Sequence, residues 1–426
     1  MHRIPLVIAA LAAAPAALAQ PAQLDLEAFA RANDAAAVMQ GKAPADGVFT
    51  AEFLTAVPPD KLKALADQLA AQNGALLRVE AVEQTGPGAA KFALVYERAR
   101  ASAVLRLDGA APYRIAGLRI TEVTPTGDTP EKIRSDFAAL HGRAGFALVK
   151  LMPEGPVPIV ADRADEQFAI GSAFKLWVLD ALAQDVATGK RRWSDVVTLG
   201  LRSLPSGELQ DWPEGAAVTL ETLATLMISQ SDNTATDTLI RVLGREAVAA
   251  RVRASGHSAP DRMLPFLTTL EAFTLKAGKG GEAEAYGKTD EAGQAAQLAR
   301  MAPTLSPRGI DPAAFAGGKP QAIDSVEWFA SPRDLVGVLN GLRQRTDPKV
   351  MAILGVSPAM GPTVRARFAR VGFKGGSEAG VLNFSYVVEA KDGAWYALTV
   401  SWNDPAASVD TATLSALTAR LLTQIP

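Results

Sequence analysis

A stretch broken by proline and glycine, TPTGDTPEK at residues 124 to 132, separates two patterns that one ordinary core would not combine. Ahead of it, LDLEAFARANDAAAVMQG and FTAEFLTAVPPDKLKALADQLAAQNG space their apolar residues by three and four and predict helices, the second interrupted at Pro58-Pro59. Four strand-like runs follow, ALLRVEAVEQ, KFALVYERA, SAVLRLDG and YRIAGLRITEV, divided by Gly, Pro and Asp. Beyond the linker the order changes. A helix near 130–141 and the strands GFALVKLM and VPIVADR open the second part, and the strands NFSYVVEA and WYALTVSWN with the helix DTATLSALTARLLTQI close it. Between them lies a largely helical stretch to about 345. Strands at both ends with helices between imply a sheet whose outer helices come from both termini, plus a helical lobe. At 426 residues the chain exceeds a single core, so two units are expected, 24–123 and 127–426, both α+β. Residues 276 to 320, rich in Gly, Ala and charge, read as a long surface insertion.

The composition excludes several functions. With 43 basic against 45 acidic residues and a net charge of −2, there is no basic surface for nucleic acid and no polybasic membrane patch. The absence of cysteine removes disulfides, thiolate nucleophiles and cysteine-ligated metals together. Beyond His2 only His141 and His257 remain, too few and too isolated for a multi-histidine zinc site. No cofactor is expected. The opening MHRIPLVIAALAAAPAALAQ has a basic start, an apolar run and small residues at Ala17-Leu18-Ala19. It predicts a signal peptide, residues 1–19, cleaved before Gln20, and hence a periplasmic or secreted protein with no membrane attachment after cleavage. The other reading is a membrane anchor, against which stand the short run and Pro15.

Within FAIGSAFKLWVLDALA, Ser172 and Lys175 stand three apart, close enough on a helix to share a face. A serine hydroxyl needs a base, and a lysine is one only when neutral, which burial and a second cation both favour. The plain alternative is a lysine whose stem packs on the core while its ammonium reaches water. A Ser-His-Asp arrangement through His141 or His257 also stays open. Further on come Ser231-Asp232-Asn233, which could equally be a helix cap and turn, and Lys374-Gly375-Gly376-Ser377, which ends one strand-like run before another and could be a plain hairpin. The second Lys-Gly-Gly, at Lys279, lacks flanking strands.

In order, S-x-x-K, S-D-N and K-x-G are the three signatures of the penicillin-recognising serine hydrolases. Residues about 127 to 426 resemble the class A β-lactamases and their relatives. By element order, the first unit resembles the ketosteroid-isomerase or cystatin-like α+β fold. That pairing, with AIGSAFKLWVL and EWFASPRDL, looks closest to the β-lactamase-like proteins of clavulanic acid biosynthesis. The resemblance implies a β-lactamase/transpeptidase-like fold, an antiparallel sheet flanked by helices plus a helical lobe. It implies Ser172 as acylated nucleophile, Lys175 as its base and Ser231 as proton shuttle to the leaving group. Asn233 would orient Lys175 and the substrate amide, and Lys374 would lower the pKa of the serine–lysine pair and attract a substrate carboxylate. The N–H groups of Ser172 and Ser377 would form an oxyanion hole, with Gly375 and Gly376 letting substrate approach. The expected partner is a small β-lactam or ester.

Two departures stand out. Gly375 replaces the usual hydroxyl residue, which Ser377 could supply from two positions on. The Glu-x-x-Leu-Asn motif of the deacylating glutamate is absent after Asn233; Glu271 and Glu327 lie nearby but match no motif and read as structural or solvated carboxylates. Turnover of a β-lactam acyl-enzyme is therefore expected to be slow. An esterase or D-alanyl-D-alanine peptidase uses the same elements, and a catalytically idle ligand-binding protein is the alternative from another class.

Overall fold

The computed structural model describes residues 19–426, so the expected export signal lies almost wholly outside the described residues. The chain divides into two compact units, one ending at Gly127 and one running Asp128–Pro426. In the first, helices Ala19–Met39, Ala51–Ala56 and Pro59–Asn73 precede the strands Leu76–Gly86, Ala89–Tyr96, Ala99–Leu107 and Ile115–Pro125. The break at the two prolines has a simple cause: Pro59 cannot continue a helix but suits the first position of a new one. The strands form an antiparallel meander in chain order. Along Ala99–Leu107 alternate residues are buried, so Ala99, Ala101, Ala103, Leu105 and Leu107 face a core shared with Phe49, Phe92 and Ile115.

The second unit is built on a five-stranded antiparallel sheet. Its order is Phe368–Glu378, Val381–Ala390, Trp395–Asn403, Arg143–Met152, Gly155–Asp162. Helices Pro130–Ala138 and Thr411–Leu422, from the two ends of the unit, cover one face through Ile133, Phe137, Leu414 and Leu421. Arg420 fixes the arrangement with two hydrogen bonds of 2.7 Å to the carboxylate of Asp128. The other face carries a core centred on helix Lys175–Ala187, whose Leu176, Trp177, Val178 and Leu179 are all fully buried. Among the described residues, no helix is long and apolar enough to cross a membrane.

Three expectations need correction. The 276–320 segment is folded rather than a loose insertion: it forms helices Glu282–Gly287 and Glu291–Met301 and several 3₁₀ turns, anchored by buried Tyr286 and Leu298. Its alternating Gly and Ala hid elements of only two or three turns. Ser172 is not on the long α-helix; it sits in the 3₁₀ turn Gly171–Phe174 that leads into it. Lys374-Gly375-Gly376-Ser377 does not end a strand. It lies inside Phe368–Glu378, paired in register with Ser385, Phe384, Asn383 and Leu382.

Because Leu421 is fully buried against the sheet and distant in sequence from every candidate site residue, it separates folding from chemistry. Leu421→Ala is expected to lower stability by about 2–5 kcal/mol, read as a fall in the urea midpoint.

Candidate active site

Four segments converge on one cavity: the Gly171–Phe174 turn, the loop before helix Asn233–Leu243, the edge strand Phe368–Glu378 and the segment around Trp328. Each is held for a local reason. Asp232 is the N-cap of helix Asn233–Leu243, accepting from Ala235 N at 2.8 Å, while its other oxygen accepts from Glu208 N and Leu209 N at 2.8 and 2.9 Å. The capping reading of Ser-Asp-Asn is thus true of its middle residue, and it leaves the outer two free for other work. Ser231 adopts a left-handed φ of 57°, a region that non-glycine residues enter at a cost. In that conformation its carbonyl meets Lys175 Nζ at 2.6 Å.

Lys175 is fully buried, so the expectation of an ammonium reaching water fails. Its Nζ lies 2.6 Å from Ser231 O, 2.7 Å from Asn233 Oδ1 and 3.2 Å from Ser231 Oγ. Lys374, 3 % exposed, donates from the other side to the same Ser231 Oγ at 3.1 Å and to Gly375 O at 2.6 Å. One hydroxyl therefore bridges two buried amines. Burial, and then the charge of Lys374, hold Lys175 well below the usual lysine range. Burial brings Lys374 down to about 7. A neutral Lys175 has two N–H donors, and the two carbonyl-type oxygens can only accept them. The longer contact, from Lys175 Nζ to Ser231 Oγ, joins it through that hydroxyl to Lys374. The three groups form one hydrogen-bonded chain.

Asn233 is held in turn by donating Nδ2 to Leu204 O at 3.0 Å, which fixes Oδ1 toward Lys175 and secures one wall of the cavity. Opposite, Gly376 is where the strand edge touches the Ser172 turn. A Cβ there would lie 2.0 Å from Ile170 O and 2.7 Å from Ser172 N. Gly171, at φ 48°, similarly leaves no room beyond 3.1 Å to Ser377 N. The backbone nitrogens of Ser172 and Ser377 are thus neighbours at the free edge of the sheet, where N–H groups are unpaired by a sixth strand. Gly375 Cβ space is limited by Phe373 at 2.9 Å, and Ser377 is exposed.

The cavity, about 370 Å³, is lined by Ser172, Asn233 and Ser377 together with Phe273, Phe315 and Trp328. Trp328 stacks on Phe174 at 3.8 Å, giving the site an apolar wall. Its volume is in the range of small-molecule sites. The histidines are elsewhere. His257 is buried with Nε2 on Phe329 O at 2.9 Å and Nδ1 accepting from Ala259 N, so both ring nitrogens are occupied by backbone. His141 pairs with Asp404. Among the described residues, no group of three or more His, Cys, Asp or Glu could hold a metal.

Of the two carboxylates considered from sequence, Glu271 is structural: it closes a capping box with Thr268 and pairs with Arg245 at 2.7 Å. Glu327 instead lines the cavity, as does Glu378, which sequence reasoning missed. The signal for Glu378 was present, since it continues the alternation of Lys374 and Gly376 once the strand is seen to extend past Ser377.

Residues 130–425 match the sequence model of the Beta-lactamase enzyme family. This chain belongs to that family. Solved structures similar to this β-lactamase-family chain include a β-lactamase from Sphaerobacter thermophilus, 20% identical, covering 70% of this chain and 96% of its own, with a TM-score of 0.46. PBP-A is similar at 17% identity, 70% and 93% coverage and a TM-score of 0.46. A variant of the last common ancestor of Gram-negative bacteria class A β-lactamase follows at 19%, 70% and 96%, with a TM-score of 0.48. No curated protein matches the sequence.

Gly376→Ala is expected to displace the Ser172 turn. On the oxyanion role that the resemblance implies for Ser172 N–H, covalent labelling by a fluorescent penicillin should slow by about 10²–10³, with a native-like far-UV spectrum.

Proposed function

We propose that this chain is an exported serine hydrolase that acts on β-lactam or ester substrates through an acyl-enzyme on Ser172. The observation that carries this is the Ser231 hydroxyl held between two buried amines beneath the cavity that contains Ser172. Ser172 Oγ attacks the substrate carbonyl and its proton passes to neutral Lys175. Ser231 relays that proton to the leaving nitrogen or oxygen, and Lys374 keeps the relay poised. The N–H groups of Ser172 and Ser377 receive the developing oxyanion, and Asn233 orients Lys175 and a substrate amide.

Intact-mass analysis after treatment with penicillin or an activated ester should show one adduct, on Ser172, and Ser172→Ala should abolish it. An adduct that survives this change refutes the proposal. Lys175→Ala should slow adduct formation by about 10²–10⁴, the range of a lost general base. Lys175→Arg should do no better because guanidinium stays protonated. The rate of adduct formation should fall as pH passes upward through about 7, where buried Lys374 gives up the proton whose charge helps to keep Lys175 neutral. Protein recovered from the envelope fraction should begin at or near Gln20.

A further inference from the structure

Three ionisable side chains that the Lys175–Ser231–Lys374 relay leaves unused meet at the wall of the same cavity, two of them, Glu327 and Glu378, lining it. Lys276, in the last turn of helix Thr269–Ala277, donates to Glu327 Oε1 at 2.7 Å and to Glu378 Oε1. Glu327 immediately precedes Trp328, whose backbone N–H donates to Glu327 Oε2 at 3.2 Å. Glu378 lies two residues beyond Gly376 and four beyond Lys374 on one strand, so the three share a face. On that face Gly376 abuts Ser172 N. Both glutamates line the cavity with Ser172 and Ser377.

The three are not equivalent. The side chains of Lys276 and Glu327 are 1 % and 2 % exposed, whereas Glu378 keeps 18 %. Glu378 is the member that water in the cavity can reach. A single ammonium cannot neutralise two carboxylates in a buried place, so the pair favours holding one proton between them. Burial, and then the charge of Glu327, raise Glu378 above the usual carboxylate range. Lys276 stays charged, raised against its burial by the same two glutamates.

We propose that Glu378 is the base that activates the water hydrolysing the Ser172 acyl-enzyme, with Lys276 and Glu327 as positioning residues. The inference rests on the acyl-enzyme reading above. The Glu378 carboxylate takes a proton from water as the water oxygen bonds to the acyl carbon, and the carbonyl electron pair moves onto the oxyanion. As the oxyanion collapses, the bond from the acyl carbon to Ser172 Oγ breaks. The proton on Glu378 then passes to Ser172 Oγ, restoring both groups and releasing the acid. This assigns water activation to a strand-borne carboxylate, where the sequence offers no Glu-x-x-Leu-Asn loop.

The test uses the mature protein and a p-nitrophenyl acyl ester, with the burst and the later steady rate measured separately. Glu378→Gln should keep the burst at about one product per enzyme and slow deacylation by about a hundred- to ten-thousandfold. Deacylation of the unmodified protein should rise with pH with a midpoint above the usual carboxylate range, and Glu378→Gln should flatten that rise. The charged groups around Glu378 are Lys276 and Glu327, Lys319 on the lining of the same cavity and, on its own strand, Lys374. Glu327→Gln removes the neighbouring negative charge, so the midpoint should move to lower pH while the rise persists. Parent-like deacylation in Glu378→Gln, or a slower rate with an unchanged pH profile, overturns the inference alone. If Glu378→Gln fails to give a burst, an unmoved midpoint in Glu327→Gln overturns it. An unmodified protein that forms no Ser172 adduct overturns the acyl-enzyme reading, and this inference with it.

Discussion

The two lysine amines on either side of Ser231 set the terms for the rest of the second unit. Removing a charged amine from water costs several kcal/mol, and two close together repel. The structure answers this by surrounding them with acceptors and letting them shed charge rather than by pairing each with a carboxylate. Lys175 meets a carbonyl, an amide oxygen and a hydroxyl, and Lys374 meets a carbonyl and the same hydroxyl. Asp232 and Asp237 act on Lys175 in the opposite sense, favouring its charge, but burial and Lys374 outweigh them. Both aspartates are turned to other donors. Asp232 caps a helix, and Asp237 accepts from Ser203 and from Thr269 and Leu270 N–H groups. An ordinary ion pair at this place would lock the amine in its charged form and leave no base.

That arrangement depends on backbone placed to high tolerance, and the sheet edge supplies it. A 3₁₀ turn eclipses residues three apart, so Ser172 and Lys175 point the same way across the start of the helix. The turn is pressed onto the strand at Gly376 so closely that no side chain fits between. Being the edge strand, Phe368–Glu378 has one side committed to Val381–Ala390 and the other free for the turn and for a ligand. Sheet, turn and cavity are therefore one mechanical unit.

How much of this was legible in the sequence follows from how local each feature is. Ser172 with Lys175, the Ser231–Asn233 triplet and the Lys374–Ser377 run are short motifs, and the structure brings Lys175 and Lys374 onto Ser231 Oγ and Ser172, Asn233 and Ser377 onto one cavity. The helix and strand periods of both units were equally plain, because amphipathic spacing is local. What escaped was set by tertiary contact. The close contact of the Ser172 turn with Gly376 joins segments some two hundred residues apart. The run Lys374–Ser377 reads as a strand end because two glycines look like a turn, although register with Asn383 and Leu382 carries the strand on to Glu378. Helices as short as Glu282–Gly287 carry too few residues for a period to show.

The carboxylate cluster is the extreme case. Lys276, Glu327 and Glu378 come from a helix end, a loop and a strand, and no pair of them is near in sequence. Each alone reads as a surface charge, since glutamate and lysine are rarely buried without partners. Only the fold makes them partners, and only their unequal exposure distinguishes Glu378 from the two behind it. An acylation apparatus can be carried by motifs, because nucleophile and base must be held by one turn of backbone. Positioning a water molecule asks for less: a basic oxygen facing the acyl carbon from any element that lines the cavity. A family can therefore keep its serine and lysines in recognisable spacing while the water-activating group moves to another part of the chain, where spacing gives no sign of it.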